Sequence, residues 1–571
     1  MKVHNGGKMK KRHSLRHRVM AAGLSLFALS INSASANVSL KNGNFFIGYT
    51  DIVYPGGFEP KVERVYNSKT NFKGIFGWGW GNEYEVYLSV SVDGSVVVHE
   101  YGGGAENRFS PVAFNKSDLV KSVEKIVATA TSLGAVPQGQ VDKYRSRLMS
   151  EASFRNDEWE KYRTQGKMER RVLPVNAQLI SNRFSYQYIT KIQGGYQRAF
   201  DNGKIERFDD SGRLSKLQDK NGNWIELKYS RDGHLEHLED NFNRKMNFSF
   251  NGQGLVAKVS GENGKSAEYE YNALSELARS KDSEGNVYTF KYDSEKHHNM
   301  TEIGYKDKTT MVMTYYPASL FENIKSVKDR DGTVTEYGYD LKPGDRNHYS
   351  VSVKVKGADS KQISSSKYEY FLKHKPDGEE WTFRLITTLD GDTTETTYNE
   401  CCGLPVAIKH GSQETTFSYD AKGHVTKKTT PNEVTELEYD SKVGKVTKVR
   451  KFSKTDKRKN SWSEFKYDPK GNLIFAKNSE GRGVQLIYDT NGRIKSLVDQ
   501  NRRQINFKYN ENSKPIEITD PALGTITVSY TNSGEIKKVD STAGRKIALQ
   551  VTSAFQNLLD IIRPAGVSLS F

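Results

Sequence analysis

Aromatic residues return along this chain at one fixed interval, and that interval limits its fold more than any other feature. Phe208, Tyr229, Phe250, Tyr271 and Tyr292 each fall 21 residues after the last. Tyr398 and Tyr419 repeat the spacing, and Tyr467, Tyr488, Tyr509 and Tyr530 run it again, with Val551 one period on. Tyr315/Tyr316, Tyr339, Tyr370 and Tyr439 mark irregular or enlarged units between them. A period of this length is the signature of a stacked repeat. The unit is plain at Tyr467-Asp468-Pro469-Lys470-Gly471-Asn472-Leu473 and again from Tyr488 to Ile494. Asp opening and Gly closing a four-residue corner supply an Asx-type bond and a position of positive φ. An alternating strand follows, then a second turn and the alternating run Gln504 to Tyr509. The period is therefore turn, strand, turn, strand, with one apolar and one polar face on each strand. A lone hairpin of this kind does not persist in water, so the units must pair edge to edge.

Composition agrees with short twisted strands. The 571 residues exceed what one core organises. Aromatics at 11% exclude disorder, and many Tyr and Gly among few aliphatics suit tight turns. Of the formal charge of +16, seven Lys/Arg lie in the first 36 residues, which hold no acid; the remaining +9 is dispersed among acids. That is a mixed-charge surface, and no nucleic-acid partner is expected. The first residues read instead as an export signal: a basic run Lys8 to Arg18, an apolar run Val19 to Ile31 and the site Ala34-Ser35-Ala36, with Met9 an alternative start to Met1. The apolar run is too short for a permanent transmembrane helix, and no later segment is apolar enough. The mature chain is expected from Asn37, secreted, periplasmic or on a bacterial surface.

The Tyr-Asp-x-x-Gly-x-Leu/Ile units resemble the YD repeats of the RHS family. Tyr54-Pro55-Gly56-Gly57-Phe58, Val65-Tyr66-Asn67-Ser68 and Phe76-Gly77-Trp78-Gly79-Trp80 resemble the module that opens many RHS proteins. The resemblance covers about residues 37–110 and 208–571. It implies an all-β spiral forming a shell or open barrel, which in the best-understood relatives encloses a C-terminal toxin. Those relatives finish in a core motif rich in Asp-Pro and Gly and a variable toxic domain. Here Val551 to Phe571 reads as one more near-period, with Val567, Leu569 and Phe571 on one face of an edge without guarding Pro, Lys or Glu. The expected divisions are a signal peptide (1–36), the opening module (37–110), a helical insertion (111–175) and two stretches of array (176–397 and 398–571). In the insertion, Leu119, Val123, Ile126, Val127 and Ala130 hold helical spacing. The stretch from Gly134 to Gln140 breaks it, and a second helix from Val141 to about Arg170 completes a hairpin.

Sites of chemistry are sparse. Gly77, Gly79 and Gly81 do not make a dinucleotide fingerprint, and no phosphate-binding loop is present. His234 and His237 would point to opposite faces of a strand, and His297-His298 are adjacent, so neither metal nor cofactor is expected. No Gly-x-Ser-x-Gly elbow exists. Asp209, Asp468 and Asp489 occupy turn positions, where capping accounts for them, and no catalytic residue is assigned. Cys401 and Cys402 are neighbours whose Cα atoms lie about 3.8 Å apart, below the roughly 4.4–6.8 Å of a relaxed disulfide. Free thiols are expected, with a vicinal or an intermolecular bridge as alternatives. The sequence thus describes a non-enzymatic exported scaffold that binds carbohydrate or another surface partner. The alternatives are a shell component serving a separately encoded toxin or effector, and a glycan-processing enzyme whose paired acids the sequence does not reveal.

Overall fold

In the computed structural model the described residues are 36–562, without 55–57, 71, 101–104, 113–115, 170, 182–186, 262–263, 294–297, 342–343, 346, 377, 512, 531–535 and 543–544. Residues 1–35 of the expected export signal and the segment Gly566 to Phe571 lie outside them. The protein is mostly β, with one antiparallel sheet of 36 strands running in chain order from Tyr87–Val90 to Ile536–Ser541. The sheet is wound. At its start Tyr87 bridges Arg213, and Leu88 N donates to Gly212 O at 2.8 Å, closing a first ring. Farther on, the corner at Asp219–Asn223 meets corners two hundred and more residues away. There Asn472 Nδ2 donates to Asn221 Oδ1 at 2.9 Å and Asn223 Nδ2 to Asn491 O at 3.2 Å. Successive wraps therefore touch along a seam.

Each repeat owes its geometry to a few polar bonds. At one corner Asp468 Oδ1 accepts from the amides of Lys470 (2.9 Å) and Asn472 (2.8 Å), while Gly471 takes φ +80°. The tyrosine ends its strand just after a β-bulge, between Lys466 and Tyr467 in this unit. Its hydroxyl reaches back to the first carbonyl of a preceding strand: Tyr229 to Leu214, Tyr271 to Val256, Tyr292 to Leu277, Tyr488 to Leu473, Tyr509 to Ile494 and Tyr530 to Pro515, all at 2.7–3.0 Å. This bond explains why the recurring aromatic is so often Tyr, since a buried carbonyl without a donor is costly. The period alone did not reveal it.

The opening module fills the first wraps. Its strands Ala36–Ser39, Asn44–Val53, Lys61–Asn67 and Trp80–Asn82 form a separate sheet packed on the array's apolar face, here called the inner face. Polar locks fix it in place. Arg64 Nε donates to Asp51 Oδ2 at 2.6 Å and its Nη2 to Ser280 Oγ at 2.6 Å, while Tyr269 donates to Asp51 at 2.8 Å. The guanidinium lies 4.5 Å from the Trp80 ring, and Trp80 Nε1 donates to the Tyr292 hydroxyl at 2.9 Å. Burial pushes the Asp51 carboxyl up, and Arg64 opposes that shift.

The helical insertion comprises α1 (Lys116–Ser132), α2 (Val141–Ser150) and α3 (Ala152–Thr164). The second expected helix is split because Glu151 is extended, at φ −120° and ψ 104°. Ala152 N donates to Gly378 O of a distant hairpin at 3.2 Å, and Leu148 O accepts instead from Arg155 Nη1 at 2.7 Å. The insertion thus braces the turn of that hairpin, and the opening module packs on the array's inner face.

One expectation is overturned. Residues Arg545–Ile562 form α4, a helix, where another strand pair was expected. Ile547, Ala554, Leu558 and Ile561 make a buried helical stripe, and no Tyr-Asp-x-x-Gly corner interrupts it. Val551 therefore belongs to a helix packed on the inner face of strands Leu473–Asn478 and Gly483–Tyr488, not to a twelfth position of the repeat.

Candidate functional site, the uncovered inner wall

Two inward positions can be compared in every unit, four and two residues before the aromatic. Under the opening module they include Ile225/Leu227, Met246/Phe248, Ala267/Tyr269 and Met311/Met313, all buried, and Tyr288/Phe290, of which Phe290 is buried. Under α4 they include Val484/Leu486, also buried, and Ile505/Phe507, of which Ile505 is buried. Between these regions they become Thr335/Tyr337, Ser366/Tyr368, Thr394/Thr396, Thr415/Phe417 and Thr435/Leu437, every one half-buried. Tyr337 and Leu437, at its two ends, pack against the cores of the module and of α4; the positions between them belong to neither core. Its strands are also the longest, with Gln362–His374 spanning 13 residues and Glu380–Leu389 spanning 10.

The wall combines hydroxyls with aromatic faces. Tyr349 and Tyr370 stack at 4.9 Å, and Tyr349 donates to Lys41 O at 3.0 Å where the module ends. Burial pushes the phenols of Tyr337, Tyr370, Tyr419 and Tyr439 up to about 12, so they stay neutral donors. Lys428 and Lys451 bring positive charge at the far end, level with Phe417 and Thr435. Such a surface hydrogen-bonds and packs without demanding one ligand shape. The aromatic anchors reach the structure in four groups. Phe208, Tyr229, Phe250, Tyr271 and Tyr292 join the module's core, and Tyr467 and Tyr488 join α4's. Tyr398 and Tyr419 stand on the bare wall, and Tyr509 and Tyr530 close the array with their hydroxyl bonds.

The remaining singled-out residues have local partners. His234 faces Asp232 and the Phe250 ring, and His237 faces Glu239. Among the described residues no three His, Cys, Asp or Glu gather as a metal site. Cys401 is exposed and Cys402 buried, both as thiols; burial and the neighbouring sulfur push Cys401 up to about 12. No helix among the described residues is long and apolar enough to cross a membrane.

Comparison with known proteins adds a family. Residues 457–570 match the Teneurin YD-shell model, and residues 35–109 match a domain of unknown function, DUF6531. Residues 457–570 thus carry a YD-shell of the RHS/YD-repeat kind. No curated protein matches the chain. Among solved structures it is similar to the TcdB2–TccC3–TEV crystal structure, at 12% identity and TM-score 0.42, over 87% of this chain and 28% of that one. The Photorhabdus luminescens Tc holotoxin pore gives 11% identity and TM-score 0.41, over 87% and 27%. The chain thus spans less than a third of the solved chains it resembles.

Proposed function

We propose that this protein is a non-enzymatic shell scaffold, acting after export, whose bare inner wall holds an extended segment of a separately encoded effector polypeptide. The observation that carries this reading is the change at the inward positions from Ile, Leu, Met and Phe to Thr, Ser and Tyr where neither the module's core nor that of α4, among the described residues, lies over the sheet. An unstructured chain needs backbone partners and apolar contacts at once, and a Thr/Tyr wall offers both. A photo-crosslinker at Thr396 or Tyr370, installed in the native host, tests it. One defined polypeptide should be captured there and not from outward-facing Lys409. Equal capture from both positions, or none from either, refutes the reading.

A further inference from the structure

The net charge beyond the leader is not shared evenly. Acids accompany cations along the whole array, but from Lys422 to Lys459 twelve Lys and Arg meet only five Asp and Glu. That stretch alone carries +7 of the +9. Its strands Val425–Thr429, Glu433–Tyr439 and Val446–Ser453 pair side by side, so the excess is gathered in space as well as in sequence. Part of it is engaged. Lys448 pairs with Glu464 and Arg450 with Glu438, while Lys428 and Lys451 face inward. Much of the rest is concentrated on one loop, Lys454 to Asn460, which joins Val446–Ser453 to Ser461–Tyr467.

The loop stands clear of its neighbours. Lys454 N donates to Asn432 O and Ser479 N to Trp462 O, each at 2.9 Å, so the turns on either side lie level with its base. Residues 455–459 reach past both. Asp456 accepts from Arg458 N at 3.1 Å and holds a single 3-10 turn, Lys457–Lys459, whose three side chains are all exposed. Arg458 folds back on Asp456, whereas Lys457 and Lys459 have no ion-pair partner among the described residues. Beside this tip the outer face is apolar. Val449 pairs with the inward Leu437, so Phe452, three residues on, faces out, as does Trp462 opposite Arg450. The Phe452 ring is 38% exposed. A soluble polyanion would satisfy the lysines and leave that ring in water, whereas a phospholipid surface takes both. We propose that this basic tip and the outer face beside it dock peripherally on anionic phospholipid headgroups, independently of whatever occupies the inner wall. Lys457 and Lys459 lie against the phosphates, and Phe452 enters the interfacial layer.

The test is flotation of the exported chain with vesicles of phosphatidylglycerol and phosphatidylcholine, every variant keeping the same ends. Binding should require phosphatidylglycerol. It should weaken as salt rises, because the screening length falls from about 10 Å at 0.1 M to about 3 Å at 1 M. Each cation at such a surface contributes about fivefold in affinity, so Lys457→Gln/Lys459→Gln should weaken binding by about 25-fold. Phe452→Ser should weaken it severalfold and leave the salt dependence as it was. Lys143→Gln removes one charge from an exposed position of α2 and should change nothing. These are surface positions, so folding is not at stake. Absence of flotation with phosphatidylglycerol overturns the proposal, as does equal flotation with phosphatidylcholine alone. So does a loss in Lys143→Gln equal to that in the double variant. Binding that Phe452→Ser leaves untouched would assign the tip to a soluble polyanion and overturn it too. None of these outcomes bears on crosslinking from Thr396.

Discussion

The stretch under the opening module and the stretch from Val334 to Tyr439 are the same sheet built from the same unit, yet they are finished differently. In the first, Arg64 and Asp51 are locked inside, and Met246, Phe248 and Tyr269 are buried against the module. In the second, Thr394, Thr396 and Thr415 stand half-buried at the equivalent positions, and the long strands hold by pairing and by stacked rings such as Tyr349 on Tyr370. Corner bonds and tyrosine hydroxyls are common to both, so they build the array. Covering is a separate decision, written two and four residues before each aromatic. Stability is thus concentrated where the chain fills its own interior, and the unfilled wall is left for something else.

The largest expected difference between the two regions is electrostatic. Arg64→Ala leaves Asp51 buried without its partner, which should cost about 3–5 kcal/mol in denaturant unfolding. The Lys356–Glu336 pair on the long strands is 2.7 Å long but 35% and 42% exposed, so Lys356→Ala should cost no more than about 1 kcal/mol. Equal losses would mean the module is not a plug. Next comes Tyr488→Ala, expected at roughly 3–5 kcal/mol because the ring packs beneath α4. Tyr419→Ala, on the bare wall, should cost clearly less. Tyr→Phe at either site removes a hydroxyl–carbonyl bond of the same kind and should cost about 0.5–1.5 kcal/mol in both. If the Tyr→Ala pair agreed and the Tyr→Phe pair differed, covering would not be the variable.

A pH profile sharpens the contrast further. Within the module, burial raises Glu85 to about 8, although its oxygens accept from Ile75 N and Asn82 Nδ2. Raised in the folded state, this carboxyl favours folding only while protonated. Its contribution is complete below the unfolded value and is lost as pH climbs from about 4.5 to 8. Stability should therefore fall over that window by up to about 5 kcal/mol, and Glu85→Gln should flatten the fall. A wild-type profile that rises across the window would contradict the assignment.

Much of this architecture can be read without coordinates. The 21-residue interval carried turn, strand, turn, strand, and the corner at Asp468 to Gly471 forms as its residue types require. Three things were hidden for physical reasons. The tyrosine hydroxyl bonds span 14 or 15 residues between strands, a distance no local pattern encodes. The seam joins Asn221 to Asn472, which only the winding brings together. α4 was misread because Val551 falls on the period, although Ile547, Val551, Ala554 and Leu558 already hold helical spacing. The bare wall, by contrast, was legible: Thr394/Thr396 against Ile225/Leu227 is a difference in sequence, visible once units are aligned on their aromatic.

The smallest expected effect is the one that decides what the bare wall is. Thr396→Val exchanges a hydroxyl for a methyl of nearly equal size on a half-buried strand position. Were the wall sealed and dry, the added apolar surface would be withdrawn from water and the variant would gain stability, by as much as about 0.8 kcal/mol for one buried methylene-sized group. Were it wet, water would solvate the hydroxyl and meet the methyl alike, and stability should stay within about 0.5 kcal/mol of wild type. The double variant Thr394→Val/Thr396→Val separates these cases, because a dry wall adds the two gains and a wet wall adds nothing. We expect no gain in the protein alone, together with weaker crosslinking of the captured polypeptide from Tyr370, since two of the wall's hydroxyl partners are gone. A clear gain in stability would put this stretch in the same class as the one under the module, and the distinction between a filled and an open interior would have to be abandoned.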